Sequence, residues 1–352
     1  MPIPTIIVHG GAGAIAPDVW REYMEGAGEA ARAGQAVLDE GASALDAAIA
    51  ATIYMENHPA FNAGRGSGLN RDGRIECDAF VMRDDLQSGA VACVSNVRNP
   101  VLLARVVLEQ TPHQLVVGAG AEELARVHGI PLCANEELIV PKRLARWQQM
   151  TESGVQFTEQ LGPEDMDNPK QHAPGSGGVP PPKQDGGQRP PLPGDDTSDT
   201  VGAIAIDAAG RIATASSTGG IMLKLPGRAG DTPVIGAGGY CGPAGSATCT
   251  GHGEAVMRVC LAKYAYDLLA AGCDAYDAAI RAVDHLVDAV QGIAGVIVLD
   301  RFGNRAWATS TTRIAVGLPE QPVDANAGYV MAGLPPEFTK PGLVSPLQPP
   351  PV

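Results

Sequence analysis

Thr200 carries a hydroxyl at a junction where the chain is open to being cut. A Pro- and Gly-rich tract over about 163–196 stops at Ser198-Asp199-Thr200, and the next six residues, Val-Gly-Ala-Ile-Ala-Ile, read as a buried β-strand. A cut between Asp199 and Thr200 would leave one residue holding both a hydroxyl nucleophile and a free α-amine to act as its base. An α-amine titrates near about 7.7–8.0, against about 10.4 for a Lys side chain, so much of it is a neutral base at neutral pH. The β-branch restricts χ1 and holds the hydroxyl in fewer orientations than Ser would. A Thr that opens a strand also has a plain structural reading, and the junction alone leaves both open.

Other residues carry the same double reading. Arg228 and Asp231 sit three apart in Pro226-Gly227-Arg228-Ala229-Gly230-Asp231. As a surface ion pair they would be worth little. As a binding pair, Arg228 suits bidentate capture of an α-carboxylate and Asp231 an α-ammonium, which together read a free amino-acid head group. Thr218 could simply end a strand, and Thr250-Gly251 could be a turn before a helix. His252 could be a base, but a Thr200 amine would already fill that role, which leaves the histidine a supporting part.

The elements that must position these residues are legible in outline. A β-rich run at 5–8 leads into a Gly10-Gly11-Ala12-Gly13 turn, and helical spacing follows over 17–39. Ser43 with Asp46 three residues on forms a capping box for a helix that ends at Pro59. A hairpin is expected from Leu69 through the Asp72-Gly73 turn to a strand at 74–82, with a further strand near 91–94. Helices are expected at 101–109, 119–128 and 142–149, and a helix pair at 253–271 and 274–291. Two hairpins, 201–206 with 211–217 and 295–299 with 304–310, flank that pair. Strands, helix pair, strands is an α+β order, suited to antiparallel sheets layered between helices. The segment 335–352 reads as a loose tail.

The motifs fall in one order: His9-Gly10-Gly11-Ala12-Gly13, Asn62-Ala63-Gly64-x-Gly66-Ser67, Glu76-x-Asp78-Ala79, Asp199-Thr200-Val201-Gly202, Ser217-Thr218-Gly219-Gly220, the Arg228/Asp231 segment, Gly236-Ala237-Gly238-Gly239-Tyr240 and Thr250-Gly251-His252-Gly253-Glu254. In that order they resemble the isoaspartyl peptidase/L-asparaginase family (plant-type asparaginases) of N-terminal nucleophile hydrolases. Asp199 stands where Gly commonly precedes the nucleophile in this branch, a feature shared with the related glycosylasparaginases and threonine aspartases. The resemblance implies a four-layer αββα sandwich, two antiparallel sheets between helical layers. It implies an α-subunit of 1–199 and a β-subunit of 200–352 in one co-folded unit, associating as (αβ)₂. Thr200 is then the nucleophile, oriented by Thr218, with Thr250 and Gly251 as the oxyanion hole. Arg228, Asp231 and the Gly253 carbonyl hold the substrate head group, and Asn62 and Gly11 support the site. A structural Na⁺ is implied on backbone carbonyls of Met55, Glu56, His58, Phe61, Ala63 and Arg65, with no catalytic cofactor. The implied substrates are L-asparagine and β-aspartyl dipeptides. Glycosylated asparagine, a protein substrate or a catalytically silent binding role are the alternatives.

Composition narrows the classes. The 352 residues carry a formal charge of −14, with 45% hydrophobic and 18% charged residues. That surface repels nucleic acid and anionic membranes. Seven cysteines without a C-x-x-C are expected to be buried and reduced. The N-terminus lacks a basic n-region, which makes the cytoplasm the expected compartment.

Overall fold

The computed structural model describes residues 3–13, 15, 17–154 and 200–320. Asp199, the tract at 163–196 and the segment 335–352 lie outside them. In chain order the elements are β1 (Thr5–Gly13), α1 (Pro17–Asp39), α2 (Ala44–Asn57), β2 (Cys77–Arg83), β3 (Ser88–Val94), α3 (Pro100–Gln110), β4 (Leu115–Val117), α4 (Gly118–Val127), α5 (Asn135–Leu138) and α6 (Pro141–Glu152). After the gap come β5 (Val201–Ile206), β6 (Ile212–Thr218), β7 (Gly239–Gly242), β8 (Gly245–Gly251), α7 (Gly253–Val259), α8 (Leu261–Ala270), α9 (Ala275–Val290), β9 (Ala294–Asp300), β10 (Arg305–Thr309) and β11 (Arg313–Gly317).

The strands form two sheets, ordered β11-β1-β5-β6-β2-β3-β4 and β10-β9-β8-β7. Every pairing is antiparallel except β3 with β4, so the larger sheet is mixed rather than purely antiparallel. A β-strand shows alternate residues to opposite faces, and both faces of the larger sheet are apolar. Ile6, Val8, Ala203, Ala205, Ala79 and Val81 join one buried cluster, with α1, α2 and α3. Ile7, Ile204, Ile206, Phe80 and Met82 join a second, with the smaller sheet and with α8 and α9. This double burial is why β5 reads as an unbroken apolar run. Strands β1, β5, β6 and β2 face β7, β8 and β9 across the second cluster.

Local signals held where they were strong. The Ser43–Asp46 capping box forms, and the Asp207 carboxylate also accepts the Ala44 N–H at 3.1 Å. The β5–β6 and β9–β10 hairpins pair as expected.

Three expectations and one of two open readings need correction. Gly10–Gly13 is strand, not turn. β1 runs to Gly13 with an irregularity between His9 and Ala12, and Gly11 sits there at φ +118°. Glycine is needed nearby because a Cβ on Gly10 would lie 2.4 Å from the Phe61 ring. Residues 69–76 form no strand: Asn70 Oδ1 accepts the Asp72 and Arg74 N–H groups and makes a turn, and β2 pairs with β3 and β6 instead. Thr250-Gly251 ends a strand. Finally, the helix expected over 253–271 is two helices, broken at Cys260 in the left-handed region, φ +48°.

Candidate active site

The register of the larger sheet assembles the first part of the site. Val201 pairs with Ser217. One step further along the antiparallel ladder sets Thr200 opposite Thr218, and Thr218 pairs with Asp78 on the next strand. By the alternation of β5, Thr200 points the same way as Gly202, Ile204 and Ile206, toward the smaller sheet. A Cβ on Gly202 would meet Thr248 Oγ1 at 2.9 Å, so Thr248 looks back across the gap, and Thr250 shares its face two residues on. Thr200, Thr218 and Thr250 thus line the facing surfaces of the two sheets, all of them buried.

Each has distinct surroundings. Thr218 Oγ1 accepts the Gly220 N–H at 3.0 Å, fixing the turn after the strand. Asn62 braces the same turn: its Nδ2 donates to the Gly220 carbonyl at 2.6 Å, its Oδ1 accepts the Gly68 N–H, and its carbonyl accepts the Gly219 N–H. Thr250 Oγ1 is buried with no hydrogen-bond partner among the described residues. Buried polar groups are normally paired, so this hydroxyl is free for something that arrives from outside. Gly251 beside it has φ +144° and pairs with Ala294.

Arg228 and Asp231 converge on Gly253 but not on each other as an ion pair. Arg228 Nε and Nη2 donate to the two Glu254 carboxylate oxygens at 3.0 and 2.9 Å. The remaining edge of the guanidinium faces a space lined by glycine: Nη1 lies 3.2 Å from where a Gly220 Cβ would be, and Nη2 2.9 Å from that of Gly253. Asp231 Oδ1 is 2.8 Å from the same Gly253 point, and its Oδ2 is buried without a partner. Burial pushes the Asp231 carboxyl up to about 7, against the pull of Arg228. A cation brought to Asp231 would restore its charge.

That shift has a consequence for stability. The folded state holds the Asp231 proton more tightly than the unfolded chain, where the group titrates near 3.8. Its stabilising contribution is therefore complete below that value and lost as pH rises through about 7. Asp231→Asn cannot ionise. Its melting temperature relative to the parent protein should climb between pH 5 and pH 8, by an amount equivalent to about 1–4 kcal/mol. A difference that stays flat across that range would mean Asp231 keeps an ordinary carboxylate.

Two residues carry no mark of their part in the sequence, Glu254 and His9, while His252 takes the supporting place expected of it. Glu254 was visible only as part of a motif, and no spacing rule marks it as the partner of Arg228. His252 Nε2 lies 3.3 Å from the same carboxylate, a supporting position. His9 is fully buried over Gly202, its Nε2 2.4 Å from where a Cβ would be. Burial pushes the ring down to about 3, and the Thr200 backbone opposes this only in part. A neutral imidazole thus packs beside Thr200.

The segment expected to hold Na⁺ begins in the last turn of α2 and continues as turns and bends over 58–66. The Glu56 carbonyl accepts the Arg65 N–H at 2.8 Å and that of Met55 the His58 N–H. The carbonyls of Pro59 and Phe61 each lie 2.7 Å from where a Gly66 Cβ would be. A carbonyl keeps a second lone pair, and an all-oxygen donor set suits a hard cation. The Glu56 side chain turns elsewhere, accepting from the Val101 N–H at the start of α3 and from Asn99, and burial pushes it up to about 7.

Among the described residues no helix is long and apolar enough to cross a membrane. The sequence pattern of the asparaginase family matches residues 2–327. Isoaspartyl peptidase/L-asparaginase of Danio rerio is 38% identical over 321 residues, 91% of this chain and 93% of that protein. The Homo sapiens protein of the same name is 35% identical over 316 residues, covering 88% and 90%. Plant-type L-asparaginase of Pyrococcus abyssi is 37% identical over 317 residues, covering 88% and 94%. With this likeness running nearly end to end, through every segment that builds the site, the chain belongs to the asparaginase family.

Proposed function

We propose that the chain cleaves itself between Asp199 and Thr200 and then hydrolyses L-asparagine and β-aspartyl dipeptides, releasing L-aspartate. The observation that carries this reading is the pairing of Thr200, Thr218 and Thr250 on facing sheet surfaces with a glycine-lined space edged by Arg228 and Asp231. The fragments 1–199 and 200–352 are the two subunits of one αββα sandwich, with α1–α3 covering the larger sheet and α8–α9 the smaller, and two such units associate.

For self-cleavage, the Thr200 hydroxyl attacks the Asp199 carbonyl carbon. The C–N bond breaks, the amide nitrogen becomes the Thr200 amine, and water then cleaves the resulting ester. In turnover the amine takes the hydroxyl proton as the oxygen attacks the substrate β-carbonyl carbon. The Thr250 hydroxyl and Gly251 N–H donate to the oxyanion, while Thr218 fixes the strand end beside the nucleophile. Collapse breaks the β-carbonyl C–N bond, and the departing ammonia or amino acid takes the proton. Water, deprotonated by the same amine, cleaves the β-aspartyl ester and frees Thr200.

Recognition belongs to the free edge of Arg228. With Nε and one Nη2 proton held by Glu254, the Nη1/Nη2 edge meets the substrate α-carboxylate, and Asp231 with the Gly253 carbonyl takes the α-ammonium. The backbone carbonyls of Met55, Glu56, His58, Phe61, Ala63 and Arg65 would hold a structural Na⁺. The cytoplasm fits seven cysteines that are all free.

Steady-state rates on L-Asn, β-Asp-Leu and N-acetylglucosaminyl-asparagine, with gels to follow cleavage, test the reading. The first two should turn over, and a clear preference for the third would make the chain a glycosylasparaginase. Arg228→Ala should still cleave before Thr200, because the scissile bond presents no free α-carboxylate. It should lose roughly tenfold to a hundredfold in kcat/KM on both substrates, the range expected for one charge-assisted contact. Undiminished rates would move head-group recognition elsewhere.

A further inference from the structure

The two carboxylates of Glu76-x-Asp78 have no part in the chemistry above, yet both aim at the loop that carries Arg228 and Asp231. The Gly227 N–H donates to Glu76 Oε1 and Oε2 at 3.2 and 3.0 Å. The Gly230 N–H donates to Asp78 Oδ2 at 3.1 Å. The two bonds bracket Arg228 and stop one residue short of Asp231. Asp78 is fully buried, and its second oxygen accepts the Cys93 N–H at 2.9 Å, so the carboxylate is fixed at both ends. Asp78 is also the cross-strand partner of Thr218. Lys224, also fully buried, donates from Nζ to the Glu76 carbonyl at 2.8 Å and ties the start of the same loop to the residue just before β2.

We propose that Glu76 and Asp78 are positioning residues that clip the head-group loop to the strand beside the nucleophile row, setting the distance between Arg228 and Thr200. This rests on the head-group reading of Arg228 and Asp231. A loop without side-chain anchors would drift relative to the sheet, and a head-group site that must be ordered on binding holds substrate and product more weakly. Asp78 is placed to prevent it because one rigid strand carries both its own backbone and the partner of Thr218. Two acceptor oxygens meeting two N–H donors also explain why a carboxylate is needed. An amide at 78 would set an NH₂ against one of those donors and lose that bond.

The test is Asp78→Asn in cleaved enzyme, with KM and kcat for L-Asn and β-Asp-Leu and the inhibition constant of L-aspartate, which carries the head group but does not react. Cleavage before Thr200 should persist. KM and the aspartate inhibition constant should rise together by tenfold or more, with kcat within about threefold of the parent. A residue that only stabilised the fold would lower the melting temperature and leave both constants alone, and that result overturns the proposal. So does a fall in kcat at unchanged KM, which would assign Asp78 to the nucleophile side. If Asp78→Asn does not fold, Glu76→Gln decides, with KM expected to rise about threefold and an unchanged KM counting against the clip. Failure of the parent enzyme to hydrolyse either substrate would instead remove the head-group reading, a result separable from any seen in the variants.

Discussion

Thr200→Ala should remain a single chain on a denaturing gel and show no measurable hydrolysis of L-asparagine or β-aspartyl dipeptides. Both losses would come from one atom, because in the proposed mechanism the same hydroxyl opens the Asp199–Thr200 bond and later attacks substrate. Removing the nucleophile from an enzyme of this kind costs on the order of 10⁶-fold in kcat. Under that mechanism the base would be lost as well, since the α-amine would exist only after cleavage. Thr200→Ser separates the contributions. It keeps the hydroxyl, so it should still cleave, but without the methyl that restricts χ1 it should do so more slowly. N-terminal sequencing of the smaller fragment and a time course of cleavage measure both effects. Cleavage of Thr200→Ala at the same bond would sink the proposed mechanism.

The second large effect is expected at Gly251. Its backbone lies at φ +144°, and a Cβ there would stand 2.5 Å from Ala294 Cα and 2.6 Å from the Ile293 carbonyl oxygen. Both obstacles are main chain on the neighbouring segment, so neither can swing aside as a side chain would. Gly251→Ala should destabilise the fold by about 2–4 kcal/mol, from backbone strain and overpacking together. In the folded fraction it should also displace the Thr250 hydroxyl and the Gly251 N–H. Loss of one oxyanion donor typically costs about 10²–10³ in kcat. Gly272→Ala is the control: its φ is +94°, but a Cβ there meets nothing within 4 Å. It should bear only the conformational cost and keep its kcat. A folded, cleaved Gly251→Ala enzyme with the parent kcat would show that the oxyanion is held by other groups.

How much of this was readable beforehand depended on the kind of signal. The Ser43–Asp46 capping box and the β5–β6 and β9–β10 hairpins rest on contacts within a few residues, and each formed where the chain marked it. β1, β7 and β8 were harder. Gly-Gly-Ala-Gly has none of the branched and aromatic residues that mark strands, and Gly-Tyr-Cys-Gly and Gly-Ser-Ala-Thr-Cys-Thr-Gly have only Tyr240, Thr248 and Thr250 among small residues, because facing elements come too close to admit more. The Phe61 ring over Gly10 is one such approach. The break at Cys260 had no glycine or proline to announce it. Within the site, residue types were legible but pairings were not. Arg228 and Asp231 read as a binding pair from their chemistry, yet it is Glu254 that grips the guanidinium, and neither the buried His9 nor the unpartnered Asp231 oxygen follows from spacing. Those depend on which strand lies beside which, a matter settled only when the sheets close.

The order of the larger sheet has a further implication for a protein cut before Thr200. Read across β11-β1-β5-β6-β2-β3-β4, the strands alternate in origin: one from the later fragment, one from the earlier, two from the later and three from the earlier. Two fragments woven in this way cannot part by sliding along an interface, since release of either one breaks hydrogen-bonded ladders on both sides of β1. Cleavage would nevertheless change the molecularity of unfolding. The intact Thr200→Ala chain unfolds to one species, so only the association of two units can make its melting midpoint depend on protein concentration. The cut protein unfolds to two, so dilution should lower its midpoint more steeply than that of the intact chain by mass action. Recovery after denaturation should likewise turn from first order to second order, because the fragments must first find each other.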